Sequence, residues 1–256
     1  MIDAYKQQGA TLISLLISIS LGVFLVGGML KIYLDSTITY ATRAVFSEVS
    51  DKQRSSIDAM RYILVMAGRG IRGAESEITN YLPIPAVSNG TVDGGASGSD
   101  TIAVRFRTGP SCDGYQNVGL NVRPSMVQFY VDNNKNLVCR LTTYPSGSAV
   151  QTTQIVASNI ELLKVLYGLD TDSDNYANRY IPAVTVPSGQ WNRVVSMRIG
   201  LMLRSRDKLV GPAKKQTAGQ LNVLGLTVTE PDTDYLYKLA STTLSLRNMN
   251  SIIERE

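Results

Sequence analysis

Histidine is absent from this chain of 256 residues. Its absence removes the usual general base, the Ser-His-Asp arrangement, the HExxH zinc site and most transition-metal sites together, so the chain is not expected to be an enzyme. Charge is missing from one long stretch, with no charged residue between Lys6 and Lys31, and proline is missing from Met1 to Tyr81. Cysteine is scarce, limited to Cys112 and Cys139. The net charge of +4 is mild and reads as a solvated surface with some excess lysine and arginine. With 44% hydrophobic and 18% charged residues, the chain can bury a core. After one membrane segment is subtracted, there is room for one globular domain or two small ones.

The apolar stretch from Ala10 to Leu30 would be about 31 Å long as a helix, enough to span a bilayer. A secretory signal has a shorter apolar region followed by a small-residue cleavage site. Here the small-residue junction, Gly9-Ala10, precedes the apolar region, so cutting there removes a leader and keeps an anchor. If the anchor crosses a membrane, Cys112 and Cys139 share the exported side, where one disulfide is expected. Such a bridge would contribute about 3 to 4 kcal/mol in the chain-entropy model. Two unpaired core thiols are the alternative.

The pentad Gly9-Ala10-Thr11-Leu12-Ile13 resembles the prepilin peptidase site of type IV pilins. The resemblance implies cleavage after Gly9 and methylation of the new amine on Ala10. Most of that family carries glutamate at the fifth mature position, where this chain has Ser14. In the family the carboxylate is thought to pair with a neighbour's terminal amine inside the membrane, which offsets the cost of both charges. Serine brings no charge, and its presence implies a minor subunit used at few places in the fibre rather than the repeating one.

Beyond Lys31 the apolar residues thin to a stripe at Ile38, Ala41, Val45, Val49, Ile57, Met60, Leu64 and Ala67, with Gln53 in the one gap. Steps of three and four describe one face of an amphipathic helix. The helix is expected to run unbroken to about Ala67 and to end at Gly68-Arg69-Gly70-Ile71-Arg72-Gly73. Those residues match a GxGxxG dinucleotide pattern by letter. That fingerprint needs a strand before it and a helix after it, so a glycine-rich C-cap is the better reading.

Residues 86–100 read as a flexible loop by composition. Ile102, Val104 and Phe106 then read as alternating with polar partners in strand fashion. Val127, Phe129 and Val131, and Leu137, Cys139 and Leu141, do the same on either side of the turn Asp132-Asn133-Asn134-Lys135-Asn136, a hairpin signal. A second group, Ile160 to Tyr167 and Val195 to Arg204, predicts an antiparallel sheet with one buried and one wetter face. The amphipathic half of the helix is expected to cover the buried face, giving an α+β fold. A last strand-like run covers Thr242 to Arg247.

Three later runs resemble the PilW-type minor pilins in order and spacing. They are Val165-Leu166-Tyr167-Gly168-Leu169-Asp170-Thr171-Asp172-Ser173-Asp174, Trp191-Asn192-Arg193-Val194-Val195-Ser196-Met197-Arg198-Ile199-Gly200-Leu201, and Thr242-Thr243-Leu244-Ser245-Leu246-Arg247-Asn248. Met66-Ala67-Gly68 joins them. The resemblance implies a type IV pilin-like protein in four parts: a prepilin leader over 1–9, a transmembrane and fibre-core helix over 10–30, an amphipathic half with its cap over 31–73, and an exported β-rich domain over 74–256. It further implies a single pass through the bacterial inner membrane with the domain in the periplasm, then residence in the pilus on the cell surface. The implied partners are prepilin peptidase, the assembly platform, other minor pilins, the major pilin and a tip adhesin, in the service of pilus initiation, adhesion or twitching motility. A type II secretion pseudopilin, or a membrane-tethered calcium- or ligand-binding domain, is the alternative.

Two further clusters call for a reading. Asp170, Asp172 and Asp174 alternate as in the first half of a Ca2+ loop, but Asn175 and Ile181 stand where an EF-hand needs glycine and glutamate. An Asp/Asn-rich turn that satisfies its own backbone competes with the metal site. Arg204, Arg206, Lys208, Lys214 and Lys215 could face DNA. No aromatic residues interleave them in the sequence, so a solvated loop is expected.

Overall fold

The computed structural model describes residues 12–71, 81–87, 90–96, 98–114, 117–118, 123–145 and 147–249. One helix, α1, runs from Leu12 to Leu64 without a break. Its 53 residues make a rod of roughly 80 Å at 1.5 Å per residue. The strands that follow are β1 (Ile102–Phe106), β2 (Gly109–Pro110), β3 (Asn117–Val118), β4 (Ser125–Val131), β5 (Asn136–Thr143) and β6 (Val150–Ser158). After them come β7 (Ile160–Leu169), β8 (Arg179–Ile181), β9 (Val194–Arg204), β10 (Gln220–Val223), β11 (Leu226–Thr229) and β12 (Tyr237–Ser245).

The fold is α+β, with the strands in two four-stranded sheets ordered β1-β4-β5-β6 and β12-β9-β7-β8, plus two short ribbons, β2-β3 and β10-β11. The expected hairpin is present: Val127 opposes Leu141 and Phe129 opposes Cys139 across β4 and β5. Its turn is closed by Asp132, whose carboxylate accepts from the Asn136 backbone at 2.8 Å. Lys135 in that turn takes a φ of 61°. In the second sheet Val165 opposes Ile199 and Tyr167 opposes Met197. One apolar core joins both sheets to the helix, through Val49, Met60 and Leu64 of α1, Phe106 and Phe129 of the first sheet, and Leu163, Met197 and Leu244 of the second.

The stripe predicted on α1 is the face that packs: Val45, Val49, Met60, Leu64 and Ala67 are buried, while Ile38, Ala41 and Ile57 are half-buried. Gln53, in the gap of the stripe, is half-buried, and a second polar residue joins it. Ser56 is buried there, its hydroxyl donating to the Lys52 carbonyl at 2.7 Å, so a polar residue enters the seam without leaving its polar atom unpaired.

The wetter face expected of β9 is not wet. Ser196, Gly200 and Met202 are buried along with their alternating partners, and only Arg198 is exposed in the middle of the strand. The ribbon β10-β11 accounts for the difference by closing a second, smaller cluster of Leu162, Met202, Val223 and Tyr237 on that face. Gly200 admits it, since a Cβ there would lie 2.8 Å from Val223 and 2.9 Å from Leu224. The loop expected over 86–100 also ends in an ordered position. Asp100 is buried, and its carboxylate accepts from Lys164 Nζ at 2.8 Å, from the Val165 backbone at 2.8 Å and from the Gly94 backbone at 2.9 Å.

Candidate functional site

The two halves of α1 carry different chemistry. From Leu12 to Leu34 the large apolar side chains stand in the open, among them Leu16 at 57%, Val23 at 68% and Phe24 at 78% exposure. By length and composition this part of the helix can cross a membrane, and none of it is buried against the domain. Its hydroxyls are satisfied within the helix. Ser18 donates to the Ser14 carbonyl at 2.8 Å and Ser20 to the Ile17 carbonyl at 2.9 Å, which lowers the cost of carrying serine through hydrocarbon. Ser14 itself lies on the exposed apolar surface. The processing residues Gly9, Ala10 and Thr11 lie outside the described residues.

Where α1 ends, the chain unwinds through Ala67 and turns at Gly68, whose φ of +80° suits glycine. Gly68 N then donates to the Arg105 carbonyl at 2.9 Å, passing the backbone on to β1. Two freed carbonyls at the helix end, those of Val65 and Ala67, both accept from the Asn248 side chain at 3.2 Å. Asn248 therefore caps a helix nearly two hundred residues upstream of it. Met66-Ala67-Gly68 and Thr242 to Asn248, two runs far apart in the sequence, meet at this junction. The other two runs meet as well: Tyr167 and Trp191 pack edge to face, with centroids 5.2 Å apart, and Asp170 N donates to the Arg193 carbonyl at 3.0 Å.

Cys112 and Cys139 form a disulfide with Cα atoms 5.7 Å apart. Cys139 is buried in β5, and Cys112 belongs to a loop that lines a cleft with Ala59, Tyr62 and Ile63 of α1. The bridge thus fixes the loop between the first sheet and the helix.

The three aspartates after β7 do converge, with one carboxylate oxygen of each within 4.8 Å of the others. Much of their hydrogen-bonding capacity is spent on the turn. Asp170 is buried and accepts from the backbones of Ser173 at 2.7 Å, Asn175 at 2.9 Å and Asp172 at 3.2 Å. Asp174 accepts from Tyr176 N at 2.8 Å, and Asp172 accepts from the Asn178 side chain at 3.1 Å. Burial alone would raise the Asp170 carboxyl, but the backbone donors of Asn175, Ser173 and Asp172 outweigh it and hold its pKa below the ordinary value. Asp172 and Asp174 are exposed and keep lone pairs that a hard cation can use, while the ligands from later loop positions that complete an EF-hand have no counterpart here.

The basic run is largely neutralised. Lys208 and Lys214 both pair with Asp234, at 2.8 and 3.2 Å, Lys215 pairs with Glu230, and Arg204 lies 3.5 Å from Glu161. One aromatic enters the cluster from outside the run: Tyr235, from the segment before β12. Its ring is occupied by the Arg204 guanidinium at 4.4 Å and Lys208 at 5.5 Å, so it offers no open stacking platform.

A membrane-length helix thus continues into the core of an antiparallel β domain. Residues 128–248 match the family model of type IV pilus-assembly protein W, PilW. A type IV-like pilin from Thermus thermophilus is similar in structure at 14% identity and a TM-score of 0.49, over 79% of this chain and 98% of that one. No curated protein matches the chain.

Proposed function

We propose that the protein is a minor pilin that helps initiate type IV pilus assembly and belongs to the tip complex, acting by subunit packing. The observation that carries this reading is the unequal covering of α1. One helix has its lower half bare and apolar and its upper half built into a domain, so the bare half needs an apolar surrounding. Lipid supplies that surrounding before assembly, and neighbouring subunit helices supply it afterwards. The domain then lies in the periplasm, and prepilin peptidase releases the mature chain by cutting after Gly9. Other minor pilins, the major pilin, a tip adhesin and the assembly platform are its partners. Ser14 in place of glutamate supports sparse use in the fibre.

Terminal sequencing and mass measurement of the protein from membranes test this reading. A mature chain starting at methylated Ala10 and recovered with sheared fibres is expected. A chain starting at Met1, or one never found with fibres or their assembly machinery, refutes it. Calcium held by Asp170, Asp172 and Asp174 is a second, separable reading, favoured by the approach of their carboxylates to within 4.8 Å. It requires a Ca2+-dependent rise in Tm that disappears in the Asp172→Asn, Asp174→Asn double variant.

A further inference from the structure

Several lysines on the domain have a carboxylate partner. Lys208 and Lys214 share Asp234, Lys215 meets Glu230, Lys135 meets Glu161, and Lys164 meets Asp100. Three arginines with no such pair among the described residues are gathered in one place. Arg61, Arg69 and Arg247 line one groove of about 480 Å³ at the end of α1, together with Val65, Met66 and Asn248. Among the described residues, Arg61 donates only to the Thr242 hydroxyl, at 2.8 Å, and Arg69 only to the Met66 sulfur, at 3.5 Å. Neither these two nor Arg247 forms an ion pair with a described carboxylate. Three guanidiniums held around a concavity with an apolar floor form a site for carboxylates, since each planar fork can take both oxygens of one.

We infer that this arginine-rimmed groove docks an acidic segment of the subunit assembled ahead of this one, and the inference rests on the minor-pilin reading above. Position along the helix selects the occupant. Arg61 lies roughly 45 Å along α1 from Leu30, several Debye lengths beyond any lipid headgroup. A subunit drawn out of a membrane keeps its membrane-distal end toward what was assembled before it, so the groove faces that neighbour. The floor of Val65, Met66 and Leu244 favours a protein over a nucleic acid, because among the described residues no aromatic ring lines the groove to stack a base.

The full-length chain in detergent micelles can be titrated with a fluorescein-labelled octaglutamate peptide and, separately, with a labelled DNA duplex of similar charge, both read by anisotropy. Saturable peptide binding that weakens with salt is expected, along with a loss of about tenfold or more in the Arg69→Glu, Arg247→Glu double variant. Unchanged Trp191 fluorescence and melting show that the variant is folded, and Arg69→Lys with Arg247→Lys should recover part of the affinity. Equal peptide affinity in the charge-reversed variant, or tighter binding of DNA than of peptide, overturns the inference. So does markedly tighter peptide binding by a chain shortened after Met249, which would assign the groove to the chain's own Glu254 and Glu256. In cells, the charge-reversed chain should be processed and held in the membrane but depleted from sheared fibres. If the unaltered chain is itself missing from fibres, the minor-pilin reading fails, whatever the peptide does.

Discussion

The lower and upper halves of α1 are one helix under two different physical regimes. Between Leu12 and Leu34 apolar residues surround the axis and all face outward. Between Val45 and Ala67 most of them fall on one stripe, buried at Val45, Val49, Met60, Leu64 and Ala67, while Phe46 and Tyr62 stand exposed beside it. The backbone hydrogen bonding is the same in both, so the difference lies in what must cover the side chains. A helix apolar all round is completed by something other than its own domain, whereas an amphipathic one is completed by its own sheets. Because α1 is continuous, whatever holds the lower half also positions the domain.

Matched substitutions in the two halves can break this comparison. The strongest pair is Val49→Asp and Val23→Asp. Val49 is fully buried, and an unpaired charge there should lower domain stability by on the order of 4 kcal/mol or more. Val23 is 68% exposed. A charge there should leave domain unfolding unchanged while adding roughly 3 kcal/mol to the cost of membrane insertion. Urea unfolding followed by Trp191, the chain's one tryptophan, reads the first effect, and carbonate extraction of membranes reads the second. Leu64→Ala against Leu21→Ala repeats the test more gently. The former should cost about 3 kcal/mol by leaving a cavity and the latter less than about 0.5 kcal/mol in domain unfolding. Gly68→Ala probes the junction. Its φ of +80° strains any L-residue, and a loss of about 1 kcal/mol is expected. Equal responses from the two halves in any of these pairs would mean that the lower half is part of the domain after all.

The helix was legible because its signals are local. An uncharged run, a three-four stripe and a glycine stop can each be read without knowing the partner. The β4–β5 hairpin was legible for the same reason, through its Asp/Asn turn. The ribbon β10-β11 was not, because Gln220 to Thr229 is short and polar and acquires its meaning only from the face of β9 it covers. Gly200, standing in the middle of an otherwise bulky strand, was the available signal of a close backbone approach. Tyr237 to Ser241 was missed at the start of β12 because its alternation is broken by two layers of burial. The Asp100–Lys164 pair joins a loop to a strand 64 residues later, which no spacing rule anticipates. Of the candidate sites, the cysteines could be paired by count and compartment, whereas the groove of Arg61, Arg69 and Arg247 depends on the helix end meeting the chain's last strand.

The smallest expected effect is one of pH, and it separates the halves again, because no titratable side chain lies between Leu12 and Leu30 while the domain contains two buried aspartates of opposite character. For Asp100, burial raises the pKa, and the hydrogen bonds from Lys164, Gly94 and Val165 offset this only in part. Its ionised form is therefore a cost to the fold at neutral pH, relieved as pH falls through the raised pKa toward the ordinary value near about 3.9. For Asp170 burial also acts upward, but the turn's backbone donors win and the pKa is lowered. Its contribution is fully present above the ordinary value and is lost as pH falls through the depressed one. Domain stability should therefore hold or rise slightly on mild acidification from neutral and then fall below about pH 4. Asp100→Asn should remove the early rise, and Asp170→Asn should lower stability at neutral pH and flatten the acid limb. If Asp170→Asn leaves the acid limb as steep as before, the carboxylate does not hold the turn. The three aspartates would then be left for an ion to organise.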